Sequence, residues 1–235
     1  MKKYVRLFRA IISSLYINFH YLPFSQAIKL PILLYKPTYS KLKGKIVIHG
    51  RISFGMIRMG FPTVSIYPNS GINLEIKGGT LVFMGVCHIG NGSAISVSEN
   101  GILEIGDFFS ATTTFKCACH YHIKIEDYVL CGWETMIVDT DFHKLCVSTG
   151  IKHCPYEFVK IGHNSWLGMK TVILKGTQIP PYTVVGAHSV CNKVYSIPEK
   201  TLIVGQPAVL KKTGIYLDRS NMNIEYDFSN RHNEK

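Results

Sequence analysis

IGHNSWLGMKTVILKGTQIPPYTVVGAHSVC, Ile161 to Cys191, counts in sixes. Ile161, Leu167, Ile173, Ile179, Val185 and Cys191 stand six places apart, and Ile197 continues the series. Four places after each of the first five come Ser165, Thr171, Thr177, Thr183 and Ser189. A period of six is neither the 3.6 of a helix nor plain alternation, although it contains period two, so each unit reads as a short strand followed by a turn. The apolar residue fills an interior, and the small hydroxyl residue fits a tight corner. Gly162, Gly168 and Gly186, each directly after an apolar position, suit turns or a close approach of backbone. The pattern predicts an all-β chain of stacked parallel coils.

Weaker copies run upstream through Ile125, Cys131 and Ile137, through Ile105, Ala111, Cys117 and Ile123, and through Ile89 and Ile95. The register slips between these runs, as expected if coils carry small insertions. Before residue 80, KIVIHGRISF and VSIYPNSGINLEI read as β with turn signals, which predicts irregular early coils. Residues 144–159 are aperiodic and predict a loop extruded from the stack. A coil domain over 45–212 is therefore expected, preceded by a basic segment over 1–44 and followed by a polar tail over 213–235, in which SNRHNEK reads as frayed.

Twenty-six Lys and Arg against fifteen Asp and Glu give a formal charge of +11, which suits an anionic partner. A nucleic acid is not expected, because the chain has no basic helix of the binding type, stacking motif or zinc finger. Seven cysteines, an odd number without CxxC spacing, read as small apolar residues in a reducing cytoplasm. No run reaches the ~18 apolar residues needed to cross a bilayer. MKKYVRLFRAIISSLYINF resembles a signal peptide superficially, but Arg6 and Arg9 interrupt it and no small-x-small cleavage site follows. As a helix it lines up Val5, Phe8, Ile12, Leu15 and Phe19 on one face, with Lys2, Lys3, Arg6 and Arg9 mostly elsewhere. Such a segment could rest through residues 1–19 on an anionic membrane, peripheral to its inner face, or pack on its own domain or a neighbouring subunit; both readings stay open.

The stretch from Ile161 to Val190, followed by IVGQPAVLKK, resembles the hexapeptide-repeat acyltransferases, in the branch of maltose, galactoside, xenobiotic and surface-polysaccharide O-acetyltransferases. The strong match covers roughly residues 125 to 212, and a looser one reaches back to about 45. The resemblance implies a left-handed parallel β-helix of three hexapeptides per turn, a homotrimer, and acetyl-coenzyme A bound between two subunits. It implies a carbohydrate acceptor and a catalytic histidine just before the extruded loop. His143, in DTDFHKL, stands there. An imidazole can take a proton from a sugar hydroxyl as its oxygen attacks a thioester. Asp141, two residues away on an extended chain, or Asp139, could hold the other ring nitrogen. The resemblance places Trp166 beside the site, an oxyanion-binding amide near Gly168 and Met169, pantetheine against Ala187, and Lys193 and Lys212 near the nucleotide phosphates. Two departures bear on nucleotide binding: His188 stands where glycine is common, and Val209 replaces a usual cation.

Rival readings are a small-molecule acetyltransferase acting on an amino sugar or antibiotic, a non-catalytic β-helix scaffold, and a zinc enzyme using His120, His122 and His143 or His153. The acyltransferase context outweighs the last, and no metal is expected.

Overall fold

The computed structural model describes residues 2–150 and 153–219, side chains of residues 2 and 3 excepted. It is a left-handed parallel β-helix with an N-terminal helix across its first coil. Short strands fall in turn on three sheets of nine, seven and six strands, parallel throughout except for a closing antiparallel pair, Thr201–Gly205 with Ala208–Thr213. Leu167 pairs with Val185 and Val185 with Ile203, so one coil holds three hexapeptides in the stretch where the count is cleanest.

The repeat explains the interior. Ile161, Leu167, Ile173, Ile179, Val185 and Cys191 are all buried, and so are Ser165, Thr171, Thr177, Thr183 and Ser189. The hydroxyls satisfy backbone at the corners: Thr171 Oγ1 donates to the Gly168 carbonyl at 2.7 Å and Thr183 Oγ1 to that of Pro180 at 2.8 Å. Thr135 and Thr201 repeat the contact three residues back, to Gly132 at 2.9 Å and Pro198 at 2.7 Å. A buried carbonyl left without a donor costs about 1–3 kcal/mol, so a small hydroxyl residue is wanted at this place in every coil. The residue before each of these threonines is left-handed: Glu134, Lys170, Tyr182 and Lys200 have φ between 54° and 59°. His188 shares that conformation, at φ 58°, which is why glycine suits the position and why a bulky ring can still occupy it.

Gly168 resolves the alternatives left open for the glycines. A Cβ there would lie 2.7 Å from the Ala187 nitrogen, so the residue is needed for close approach of successive coils. Five cysteines, 87, 117, 119, 131 and 191, are buried in the stack, whereas Cys146 and Cys154 are exposed; all seven are free. Burial and then the Asp139 carboxylate push the Cys117 and Cys119 thiols up, so neither serves as a nucleophile at neutral pH.

The N-terminal boundary differs from the expected residue 45. Ile32–Leu34 pairs with Ile57–Phe61, and Pro37–Leu42 with Ile72–Ile76, so the first coil starts near residue 32. The six-residue count fails here because insertions lengthen the early coils: Ile32 stacks on Ile57 and Lys45 on Thr80, against Leu167 on Val185 in the regular stretch. That helix, α1 (Lys2–Tyr21), followed by the short α2 (Phe24–Ala27), buries Ala10, Ser14, Ile17 and Asn18. Asn18 takes both polar groups of Ile32: its Nδ2 donates to the carbonyl at 2.8 Å and its Oδ1 accepts the N–H at 3.1 Å. Ser14 Oγ accepts the Leu34 N–H at 2.6 Å. Two side chains thus stand in for a missing strand and cap the open edge of the solenoid. Val5, Phe8, Ile12, Leu15 and Phe19 face the other way and are exposed, so the apolar stripe does not pack on its own domain. Among the described residues no helix is long and apolar enough to cross a membrane. At the other end the described chain continues to Arg219, whose guanidinium lies 5.6 Å from the Tyr128 ring centroid; SNRHNEK, expected to fray, lies outside the described residues.

Candidate active site

Two features stand out: a loop that interrupts the repeat after the strand Met136–Val138, and a groove along the first sheet.

The loop leaves the corner between the second and third sheets and returns at the strand Val159–Ile161. Its base is a short antiparallel ladder: Asp141 N–H donates to the Pro155 carbonyl at 2.8 Å, Glu157 N–H to that of Asp139 at 3.0 Å, and Thr140 faces Tyr156. Phe142, with φ 61°, turns the chain outward, and His143 follows it, exposed and without a hydrogen bond among the described residues.

The expectation that Asp141 or Asp139 orients His143 is not met within one chain. Asp139 is fully buried, and its oxygens accept the N–H groups of His120 at 2.7 Å and Tyr121 at 2.8 Å, with the Cys119 thiol 3.6 Å away. It caps the turn of the coil beneath. Asp141 turns instead to Lys175, 2.7 Å away, with His153 Nε2 at 3.8 Å. Lys175 is mostly buried and also contacts His153 Nε2 at 2.8 Å, the Cys154 carbonyl at 2.6 Å and Glu157 at 3.8 Å. It staples both strands of the loop base to the solenoid. Sequence reading missed Lys175, because nothing local marks a lysine whose partners lie one to two coils' length of chain earlier.

The groove lies at the corner between the first and second sheets and has a volume of about 700 Å³. Leu130, Trp166, Val184 and Leu202 stand in register along one wall. Gly132, Gly168 and Gly186 line it at the corner, beside Trp133, Met169 and Ala187. Four of the expected coenzyme residues, Trp166, Gly168, Met169 and Ala187, therefore come together. Lys193 and Lys212 are exposed but lie outside this lining, Lys193 with its ammonium 5.5 Å from the Tyr195 ring centroid. Trp133 was missed, although GWET at 132–135 repeats the GMKT of 168–171 and sets it at the position of Met169. The two expected amides differ. Gly168 N–H donates to the Val185 carbonyl at 2.8 Å, whereas that of Met169 has no partner among the described residues.

A smaller cavity of about 310 Å³ opens beside the loop. It is lined by Phe142, His120, Lys77, Ser98, Glu99 and Asn100, a mixture of one aromatic ring with donors and acceptors. His122 is held by Glu104 at 2.6 Å, and among the described residues no group of three or more His, Cys, Asp or Glu could hold a metal ion.

Six-residue coils, an extruded loop and a glycine-lined groove define a hexapeptide-repeat protein of the left-handed β-helix class. The chain belongs to the hexapeptide-repeat acetyltransferase family. It is 31% identical over 150 residues to WbbJ of Escherichia coli K12, named for O-acetyl transfer in lipopolysaccharide biosynthesis; the match covers 54% of this chain and 76% of that protein. A Mycobacterium tuberculosis protein named as an acetyltransferase is 33% identical over 131 residues, covering 53% of this chain and 41% of the relative, so the chain matches less than half of that relative's length. The crystal structure of the polySia-specific acetyltransferase NeuO shares the fold, with a TM-score of 0.51 at 15% identity over 79% of this chain and 73% of the other. No protein-family model matches the chain.

Proposed function

We propose that the protein transfers acetyl from acetyl-coenzyme A to a hydroxyl of a carbohydrate, in a surface polysaccharide or its precursor, with His143 as general base. The observation that carries this reading is the groove: a narrow apolar channel lined by three glycines, in which a thin pantetheine arm can lie against backbone beside Ala187. Lys193 and Lys212, with Lys211, supply cations for the nucleotide phosphates beyond it. His143 takes the proton of the attacking hydroxyl as the oxygen bonds to the thioester carbonyl carbon. The Met169 N–H donates to the developing oxyanion, the amide of Gly168 being engaged. Collapse breaks the carbon–sulfur bond, and the imidazolium returns its proton to the departing thiolate. The cavity beside Phe142, with ring and polar groups together, suits the acceptor sugar.

The topology supports a homotrimer. The groove lies at one corner of the triangular coil and the loop leaves from another. A site that uses both takes the loop from one copy and the groove from its neighbour, and a ring of three copies builds three such sites. The orienting partner of His143 is then sought on that neighbour. The naming of WbbJ for lipopolysaccharide biosynthesis supports a polysaccharide acceptor over an amino sugar or antibiotic. The same reading puts the protein in the cytoplasm, peripheral to the inner membrane face through residues 1–19.

Release of free thiol from acetyl-coenzyme A, measured across a panel of oligosaccharides and small amino sugars, tests the reading. Release that depends on an oligosaccharide is expected. Release with amino sugars alone would favour the small-molecule enzyme, and no release together with no coenzyme binding would favour a scaffold.

A further inference from the structure

The outward face of α1 is an exposed apolar surface that the site leaves unused. Val5, Phe8, Ile12, Leu15 and Phe19 follow the 3.6-residue period along it, opposite the face that caps the solenoid. Phe24 and Ile28, just beyond, are exposed as well, and the rings of Phe19 and Phe24 lie 6.2 Å apart. A helix of a soluble monomer normally buries such a stripe and exposes its polar face. Here the edge of the first coil has claimed Ser14 and Asn18, and the stripe is left outside. Arg9 runs along one edge of it and Arg6 lies further round the same side, both exposed, with no carboxylate paired to either among the described residues. Lys2 and Lys3 precede them, and α1 contains no acidic residue.

From this juxtaposition we infer that the outer face of α1 is a docking surface for an anionic lipid bilayer, which holds the solenoid end-on to the membrane. An apolar stripe bordered by cations matches acyl chains bordered by phosphates. A second copy offering the same face would set arginines against arginines. The helix packs on the first coil, touching the first and third sheets, so docking through its far side points the coil axis away from the bilayer. His143 follows the fifth strand of the second sheet. Four coil spacings of about 4.8 Å and a helix about 10 Å thick place it about 30 Å from the lipid surface. Given the acetyl-transfer reading, on which this last step rests, an acceptor anchored in the same bilayer reaches the loop through an extended glycan and not through a single lipid-linked sugar.

Flotation of the full chain with vesicles of phosphatidylcholine containing phosphatidylglycerol, and with phosphatidylcholine alone, tests the surface. Binding at least about tenfold tighter to the anionic vesicles is expected, reduced by a similar factor in Arg6→Glu/Arg9→Glu and abolished in Phe8→Ser/Ile12→Ser. Both variants should keep the wild-type melting temperature, since none of the four side chains is buried. Equal binding to both vesicles, no binding, or unchanged binding by the variants would overturn the proposal. So would a concentration-dependent increase in size lost in Phe8→Ser/Ile12→Ser, which would make the stripe an interface between copies. With Cys154→Ser, Cys146 is the one exposed thiol among the described residues. Energy transfer from a dye on Cys146 to a headgroup dye should report about 30 Å. Contact distance would overturn the end-on orientation whatever the acetyl-transfer assay shows.

Discussion

Replacing His143 with alanine should lower turnover in the thiol-release assay by about a hundred- to ten-thousandfold, the usual worth of a positioned general base. The Michaelis constant for acetyl-coenzyme A should stay close to wild type, because a base that acts on the acceptor hydroxyl in the transition state adds little to donor binding. Thermal stability should be unchanged as well, since the side chain is exposed and makes no hydrogen bond among the described residues. A drop in turnover with donor binding and folding intact is the signature of a lost proton acceptor. Undiminished turnover would remove the base assignment, and a drop with weakened donor binding would move His143 into the coenzyme site.

Asp139→Ala should act differently, destabilising the protein by about 3 kcal/mol. Its carboxylate accepts the N–H groups of His120 and Tyr121 from a fully buried position. Truncation leaves both donors unpaired at the turn of the coil below. Asp139→Asn should cost nearly as much, because an amide offers one acceptor where two are used and turns an NH2 toward the other donor. Chemical denaturation measures both. If either variant melts as wild type while turnover falls, Asp139 belongs to the chemistry and not to the fold.

How far the sequence reveals this protein depends on what sets each feature. The period of six over Ile161 to Cys191 predicts the core and the corner hydroxyls residue by residue, because every coil presents the same interior to its neighbours. The first coil escapes the pattern since insertions separate its strands from those stacked on them, Ile32 on Ile57 and Pro37 on Ile72. The helix itself inverts the ordinary reading of amphipathicity: small polar residues are inside because they satisfy a strand edge, so its apolar face could not be assigned to core or surface from spacing alone. That Trp166, Gly168, Met169 and Ala187 share one groove is legible because they sit at fixed places in the repeat. The partners of Asp139 and Asp141 are not, since they depend on a turn at 120–121 and on Lys175, which folding alone brings near.

Subunit mixing shows whether base and groove come from different copies of the chain, as proposed. His143→Ala lacks the base, and Ala187→Trp fills the groove from an exposed position without touching the coil interior. Each alone should show almost no transfer. Co-expressed in equal amounts with different tags and purified as mixed assemblies, the two should recover about a third of the wild-type sites, since every mixed ring of three holds one site that pairs an intact loop with a neighbour's intact groove. Mixed assemblies as inactive as their parents would mean that both halves act within one chain, which overturns the shared site.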